Sequence, residues 1–168
     1  MKKLILGLFI LGLTTQIYAQ DPILTENLSE VYVVANYKYL SSVNASESAI
    51  PVEKLQLAAS DFDITDLDIY AEENEYYDVY FFIPQGKILA KYNEKGELLT
   101  TVERYRNTEL PSAVTNEIEG RFPNWNVSKN VYSVNYHESG NSNKLYKITL
   151  ENGNQKIRVK MDNLGNFK

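Results

Sequence analysis

The side chains best equipped for chemistry in this sequence are acidic. Asp61, Asp63, Asp66 and Asp68, followed by Glu72, Glu73 and Glu75, place seven carboxyls within fifteen residues, a density that suits calcium. The glycine and closing glutamate of a helix–loop–helix calcium loop are missing, however. Asp61 and Asp63 alternate with Phe62 and Ile64, and Asp66 and Asp68 with Leu67 and Ile69, which reads as a strand with a solvated outer edge. His137, the one histidine, lies in a strand-like run and shares a face with Val131, Ser133 and Asn135. A general base needs a nucleophile or second acid beside it, and the spacing supplies none. With no cysteine, disulfides, thiolate zinc sites and thiol nucleophiles are excluded. Carboxylate pairs for glycoside hydrolysis are plentiful but carry no signature. Lys147, Lys156, Arg158 and Lys160 form a basic stripe, read as solvated strand positions or, alternatively, as a site for an acidic partner. No catalytic residue, cofactor or metal site is expected.

The whole chain of 168 residues carries 17 Lys and Arg against 22 Asp and Glu, a formal charge of −5, which disfavours nucleic-acid binding. Its first nineteen residues read as a secretory leader. Lys2 and Lys3 precede the apolar run Leu4 to Leu13, and Ile17-Tyr18-Ala19 suits cleavage after Ala19. That run is shorter than the roughly 20 residues that span a bilayer, so the mature form is expected without a membrane span, in the periplasm or outside the cell.

Internal repetition organises the remainder. A shift of 69 residues lays Tyr77–Leu98 over Tyr146–Phe167 with five of 22 positions identical: Tyr77 and Tyr146, Lys87 and Lys156, Ile88 and Ile157, Lys91 and Lys160, Gly96 and Gly165. Both copies parse as antiparallel hairpins. The first pairs Tyr76–Ile83 with Lys87–Asn93 around Pro84-Gln85-Gly86; the second pairs Lys144–Glu151 with Gln155–Met161 around Asn152-Gly153. Leu98–Tyr105 adds a further strand.

A helix is expected before each hairpin. Leu110, Val114, Ile118 and Phe122 recur every four residues over Pro111–Phe122, with Thr108 and Glu109 as capping acceptors, and Pro51–Ser60 carries Val52, Leu55 and Ala59 on one face. Phe62–Tyr70 and Trp125–His137 read as strands following these helices. Val31–Leu40, apolar on both faces, reads as an additional covered strand, and Ser41–Ser48 as a polar linker. The expected organisation is therefore a leader at 1–19, an N-terminal strand and linker at 20–48, and two helix–sheet units at 49–106 and 107–168.

Leu110-Pro111-Ser112-Ala113-Val114, Arg121-Phe122-Pro123-Asn124-Trp125, Val131-Tyr132-Ser133-Val134-Asn135-Tyr136 and Lys156-Ile157-Arg158-Val159-Lys160 resemble the PepSY-like family of small exported bacterial proteins. The resemblance covers about Tyr37 to Lys168. It implies an α+β fold similar to that of the beta-lactamase inhibitor protein, a tandem of helix-plus-antiparallel-sheet units, and a non-enzymatic binding or inhibitory role. Some relatives are labelled nicotinate-nucleotide adenylyltransferases, so an envelope enzyme of that kind is the alternative the resemblance implies; a purely structural envelope component is a third reading. The glycine-flanked histidine motif that such an enzyme uses to hold phosphates is not found here.

The repeat also exposes a difference. Tyr77, Val79, Phe81, Ile88, Ala90 and Tyr92 match Tyr146, Ile148, Leu150, Ile157, Val159 and Met161 as one apolar face. On the other face the second copy is largely polar, whereas the first shows Tyr76, Tyr80, Phe82 and Leu89 rimmed by Asp78, Lys87 and Lys91. Tyr76, Tyr80, Phe82, Leu89, Lys87 and Lys91 are thus the candidate binding residues, for an unidentified protein or small ligand. Two other readings stay open: the aromatics are covered by Val31–Leu40 or the other unit, or they are scattered exposed side chains.

Overall fold

The computed structural model describes residues 36–71 and 73–168; the expected leader, and residues 31–35 of the expected N-terminal strand, lie outside the described residues. Six antiparallel strands form one sheet in chain order: β1 Tyr76–Ile83, β2 Gly86–Asn93, β3 Leu98–Arg106, β4 Asn126–His137, β5 Ser142–Asn152 and β6 Gln155–Met161. Helices α1 Tyr37–Val43 and α2 Ile50–Ser60 precede β1, and α3 Ser112–Arg121 joins β3 to β4. The architecture is α+β. Among the described residues no helix is long and apolar enough to cross a membrane.

Alternation of side chains across the pleat decides which of them meet the helices. Tyr77, Ile88, Ala90, Tyr92, Tyr132, Val134, Tyr146, Ile148 and Leu150 are buried on one face, and α2 packs there on β1 and β2 while α1 packs on β4 and β5. Val52, Leu55 and Ala59 of α2, and Val114 and Ile118 of α3, are buried as their spacing predicts. Pro111 stands at the N-cap of α3, not inside its first turn, and no side chain caps that end. Thr108 instead offers its carbonyl to Asn130 Nδ2 at 2.8 Å.

The hairpin registers agree residue for residue. Tyr77↔Tyr92, Val79↔Ala90 and Phe81↔Ile88 in β1–β2 correspond at the same shift of 69 to Tyr146↔Met161, Ile148↔Val159 and Leu150↔Ile157 in β5–β6. The turns that follow agree as well. Asn93 Oδ1 accepts the backbone N–H groups of Lys95 and Glu97, and Asp162 Oδ1 those of Leu164 and Asn166. The loop of the second hairpin is Gly153-Asn154 rather than Asn152-Gly153, since Asn152 pairs with Gln155. Gly153 has φ 56°, the positive value required at the first position of a II′ turn.

Two expected strands are replaced. From Tyr37 onward the expected Val31–Leu40 strand is helix α1: Asn36 Oδ1 accepts Tyr39 N–H at 3.0 Å, and Asn44, at φ 54°, closes the other end. Tyr39 and Val43, four residues apart, bury the same side. These caps outweigh a pattern that looked apolar on both faces, and Ser41–Ser48 continues α1 into a short turn rather than forming a linker. Phe62–Tyr70 also fails as a strand. Asp63 Oδ1 accepts both the N–H and the hydroxyl of Thr65, setting up a 3₁₀ turn at Ile64–Asp66, because such local side-chain bonds compete with a ladder. Phe62 turns inward onto Phe81 and Tyr92.

At the centre of this layer lies an acid. Glu103 of β3, 1% exposed, accepts Tyr39 Oη and Thr101 Oγ1 on Oε1 (both 2.8 Å), and Gln56 Nε2 (2.9 Å) and Tyr105 Oη (2.7 Å) on Oε2. Its donors come from α1, α2 and β3. Burial lifts the Glu103 carboxyl above its ordinary 4.5, although all four donors pull the other way. Beside it runs an inward row across five strands: Gly86, Tyr105, Tyr132, Tyr146 and Met161. Tyr132 and Tyr146 stack at 4.3 Å. Gly86 is required there, because a Cβ would land on the Tyr105 ring, which its hydroxyl bond to Glu103 holds in place.

Glu103→Ala strands four buried donors and should destabilise by more than about 3 kcal/mol in urea unfolding, at about 1–3 kcal/mol per orphaned group. A raised folded-state pKa means that the native protein binds the proton more tightly than the unfolded chain. The wild type should therefore lose stability relative to Glu103→Gln as pH rises from about 4.5 through the folded value, read from urea midpoints across pH 4 to 8. Gly86→Ala should cost about 1–3 kcal/mol through overpacking, measured by the same titration at one pH.

Candidate functional site

The face away from the helices is built by the other residue of each alternating pair. β1 is an edge strand, and on it Tyr76, Tyr80 and Phe82 are 56%, 62% and 79% exposed. Leu89 is half-buried. None of these side chains is core, and among the described residues no helix lies over them: α1, which takes up Tyr37–Leu40 of the Val31–Leu40 segment expected as their cover, packs on the opposite face against β4 and β5.

Register groups the six candidates. Tyr80 stands directly opposite Leu89, and Leu89 in turn opposite Val102 of β3, which is 57% exposed. This apolar row is joined by Phe82, which faces Lys87. Lys91 is engaged elsewhere, with its Nζ 2.9 Å from Asp78 Oδ1 and 5.4 Å from the centroid of the Tyr76 ring, within cation–π range. The structure thus brings Tyr80, Phe82, Leu89 and Lys87 together and separates Tyr76 and Lys91 into a neighbouring ion-pair cluster.

Beyond β2 the same face turns cationic. Lys87 faces Arg104, Arg104 faces Ser133, Arg106 faces Val131, Val131 faces Lys147 and Lys147 faces Lys160. Of the fifteen Lys and Arg among the described residues, nine stand on this face, with two acids, Asp78 and Glu151. Both acids are already paired, Asp78 with Lys91 and Glu151 with Lys156 at 2.8 Å. Two open concavities follow the cations. One, of about 250 Å³, is lined by Phe82, Pro84, Lys87, Arg104 and Arg106; the other, of about 360 Å³, by Arg104, Lys129, Lys147, Arg158 and Lys160.

The sequence reading missed Val102, Arg104, Arg106 and Lys129. Parity along Leu98–Arg106 places Thr100, Val102, Arg104 and Arg106 on one side, but which side is outward depends on Glu103 being buried, against its type.

Among the described residues, the acidic run supplies no metal-holding cluster and His137 stands apart from it. Asp63 is engaged with Thr65, and among the described residues no three His, Asp or Glu side chains converge to hold a metal. His137 is exposed at the end of β4; its Nδ1 accepts Ser139 N–H at 3.1 Å and lies 3.1 Å from Ser139 Oγ. Neither contact holds a nucleophile in front of a base and its orienting acid. No protein-family model matches the chain, and no curated protein matches it.

Because their rings are solvated and only cross-strand contacts are lost, Tyr80→Glu and Phe82→Lys should each change unfolding free energy by less than about 1 kcal/mol. Calorimetric melting checks this, and a collapse of the melting transition would reassign these side chains to the core.

Proposed function

We propose that the chain is an exported, non-enzymatic recognition module of PepSY-like type that receives a protein or small ligand on the open face of its sheet. The observation that carries this is the sidedness of the sheet. One face is packed by α1 and α2, and the other leaves Tyr80, Phe82 and Val102 more than half exposed in a row with Leu89, a contiguous apolar patch with a charged rim.

The β1–β2 and β5–β6 hairpins are taken as duplicates, and the overall arrangement as similar to the beta-lactamase inhibitor protein. The shared register and the matching Asn93 and Asp162 turns support that reading. Paired strands keep their inward residues because the core demands them, while outward residues are free to diverge, so the outward differences between the copies point to function. Export follows from the charged and apolar pattern of Met1–Ala19.

A photo-crosslinking residue placed at Tyr80 or Phe82, with Glu117 on α3 as the control position, tests the proposal in the native envelope. Discrete adducts from positions 80 and 82 but not 117 are expected. Adducts from position 117 alone, or from none of the three, would refute it.

A further inference from the structure

The two hairpins place different charges in the same slot. Asp78↔Lys91 in β1–β2 corresponds, at the shift of 69, to Lys147↔Lys160 in β5–β6. The first is an ion pair; the second sets two lysines directly across from each other in the register, an arrangement that costs stability. Lys87↔Arg104 repeats the conflict between β2 and β3, and Arg104 lines both concavities. None of these four cations has an acidic partner among the described residues. The fold does not need this repulsion, since the equivalent slot shows an acid accommodated at the same geometry.

We propose that the occupant of the open face is an acidic polypeptide segment with an apolar side chain at one end. Its carboxylates lie along the cation track from Arg104 to Lys160, and its apolar group lies against Phe82, Leu89 and Val102. This assignment rests on the sheet face being the recognition surface. Three of the chain's four arginines, Arg104, Arg106 and Arg158, stand on that face, and guanidinium is the group that grips carboxylates in a bidentate way. Strands lie about 4.8 Å apart, so β2 to β6 spans roughly 19 Å, or about six residues of extended chain.

A bilayer or a nucleic-acid duplex fits less well. Of eighteen acids among the described residues, sixteen lie off this face, and Glu75, Glu138 and Asp162 sit at the strand ends that form its rim. A broad polyanion extending past the strand ends would meet those carboxylates; a short segment stays inside the track. The exposed apolar residues stand on β1 to β3 and seven of the nine cations on β3 to β6, which suits a segment with two ends.

The test uses fluorescein-labelled Phe-Gly-(Glu)6 and Gly-Gly-(Glu)6 with the purified chain, followed by anisotropy at several salt concentrations. Both peptides should bind saturably, more weakly as salt rises, and the Phe-tipped one at least threefold tighter. Lys147→Glu combined with Arg158→Glu should raise Kd at least tenfold for both peptides. Phe82→Ser should erase the advantage of the Phe tip and leave the Gly-tipped peptide unchanged. Lys147→Glu alone recreates the Asp78–Lys91 pairing opposite Lys160, so its melting temperature should not fall, which separates lost binding from lost folding. Absence of saturable binding, indifference to the charge reversals, or tighter binding to phosphatidylglycerol vesicles or a DNA duplex than to either peptide would overturn the assignment. If the photo-crosslinks at Tyr80 and Phe82 form to a segment without acids, the recognition face stands and this inference alone falls.

Discussion

Burying an ionisable carboxyl is among the costlier things a small protein can do, and this fold is arranged around one. Glu103 takes donors from two helices and from its own strand, so the hydroxyls of Tyr39, Thr101 and Tyr105 and the Gln56 amide N–H are satisfied together where α1, α2 and β3 meet at this carboxyl. Apolar contact tolerates sliding; a fourfold hydrogen-bonded carboxyl does not. With no disulfide available, this network contributes specificity that burial of Tyr, Ile and Val side chains alone would lack. Its burial also sets the parity of β3. With Glu103 turned inward, Val102 and Arg104 must point out.

That parity propagates. β3 is hydrogen-bonded to β2 on one side and β4 on the other, so its outward residues connect the aromatic end of the open face to the cationic end. The tyrosine row from Tyr105 to Tyr146 does the corresponding work inside, with Gly86 leaving space at its head. The two faces of the sheet thus answer different constraints. The inner one is governed by packing and by four satisfied donors. The outer one carries like charges opposite each other and exposed rings, neither of which packing asks for.

Ion pairs differ between the two hairpins along the same line. β1–β2 keeps its outward pair at Asp78 and Lys91, while the slot equivalent to Glu151 and Lys156 holds Phe82 and Lys87. β5–β6 keeps the opposite pair and places two lysines where the first has its acid. Each hairpin therefore holds one compensated slot and one uncompensated, the latter filled by an aromatic in the first and by like charges in the second. Both uncompensated slots open onto the same solvent-facing surface.

The amino-acid sequence alone determined the elements whose signals are local. Two helices and the strands of both hairpins follow from periodicity, from turn residues and from the 69-residue match, because hydrogen bonding between near neighbours obeys rules written in nearby side chains, while the loop of the second hairpin sits one residue further on than its Asn-Gly signal placed it. Local signals also misled where they competed. Asn36 and Asn44 cap a helix in a segment that looked like a strand, and Asp63 binds Thr65 in preference to a ladder. Tertiary structure decided what depends on residues far apart in the chain: that Glu103 is buried by donors from Tyr39 and Gln56, that α1 covers β4 and β5 rather than the aromatics of β1, and that Arg104 and Lys147 share one surface. The physical reason is that burial of a charge and proximity of like charges are properties of the assembled sheet, and no window of neighbouring residues contains them.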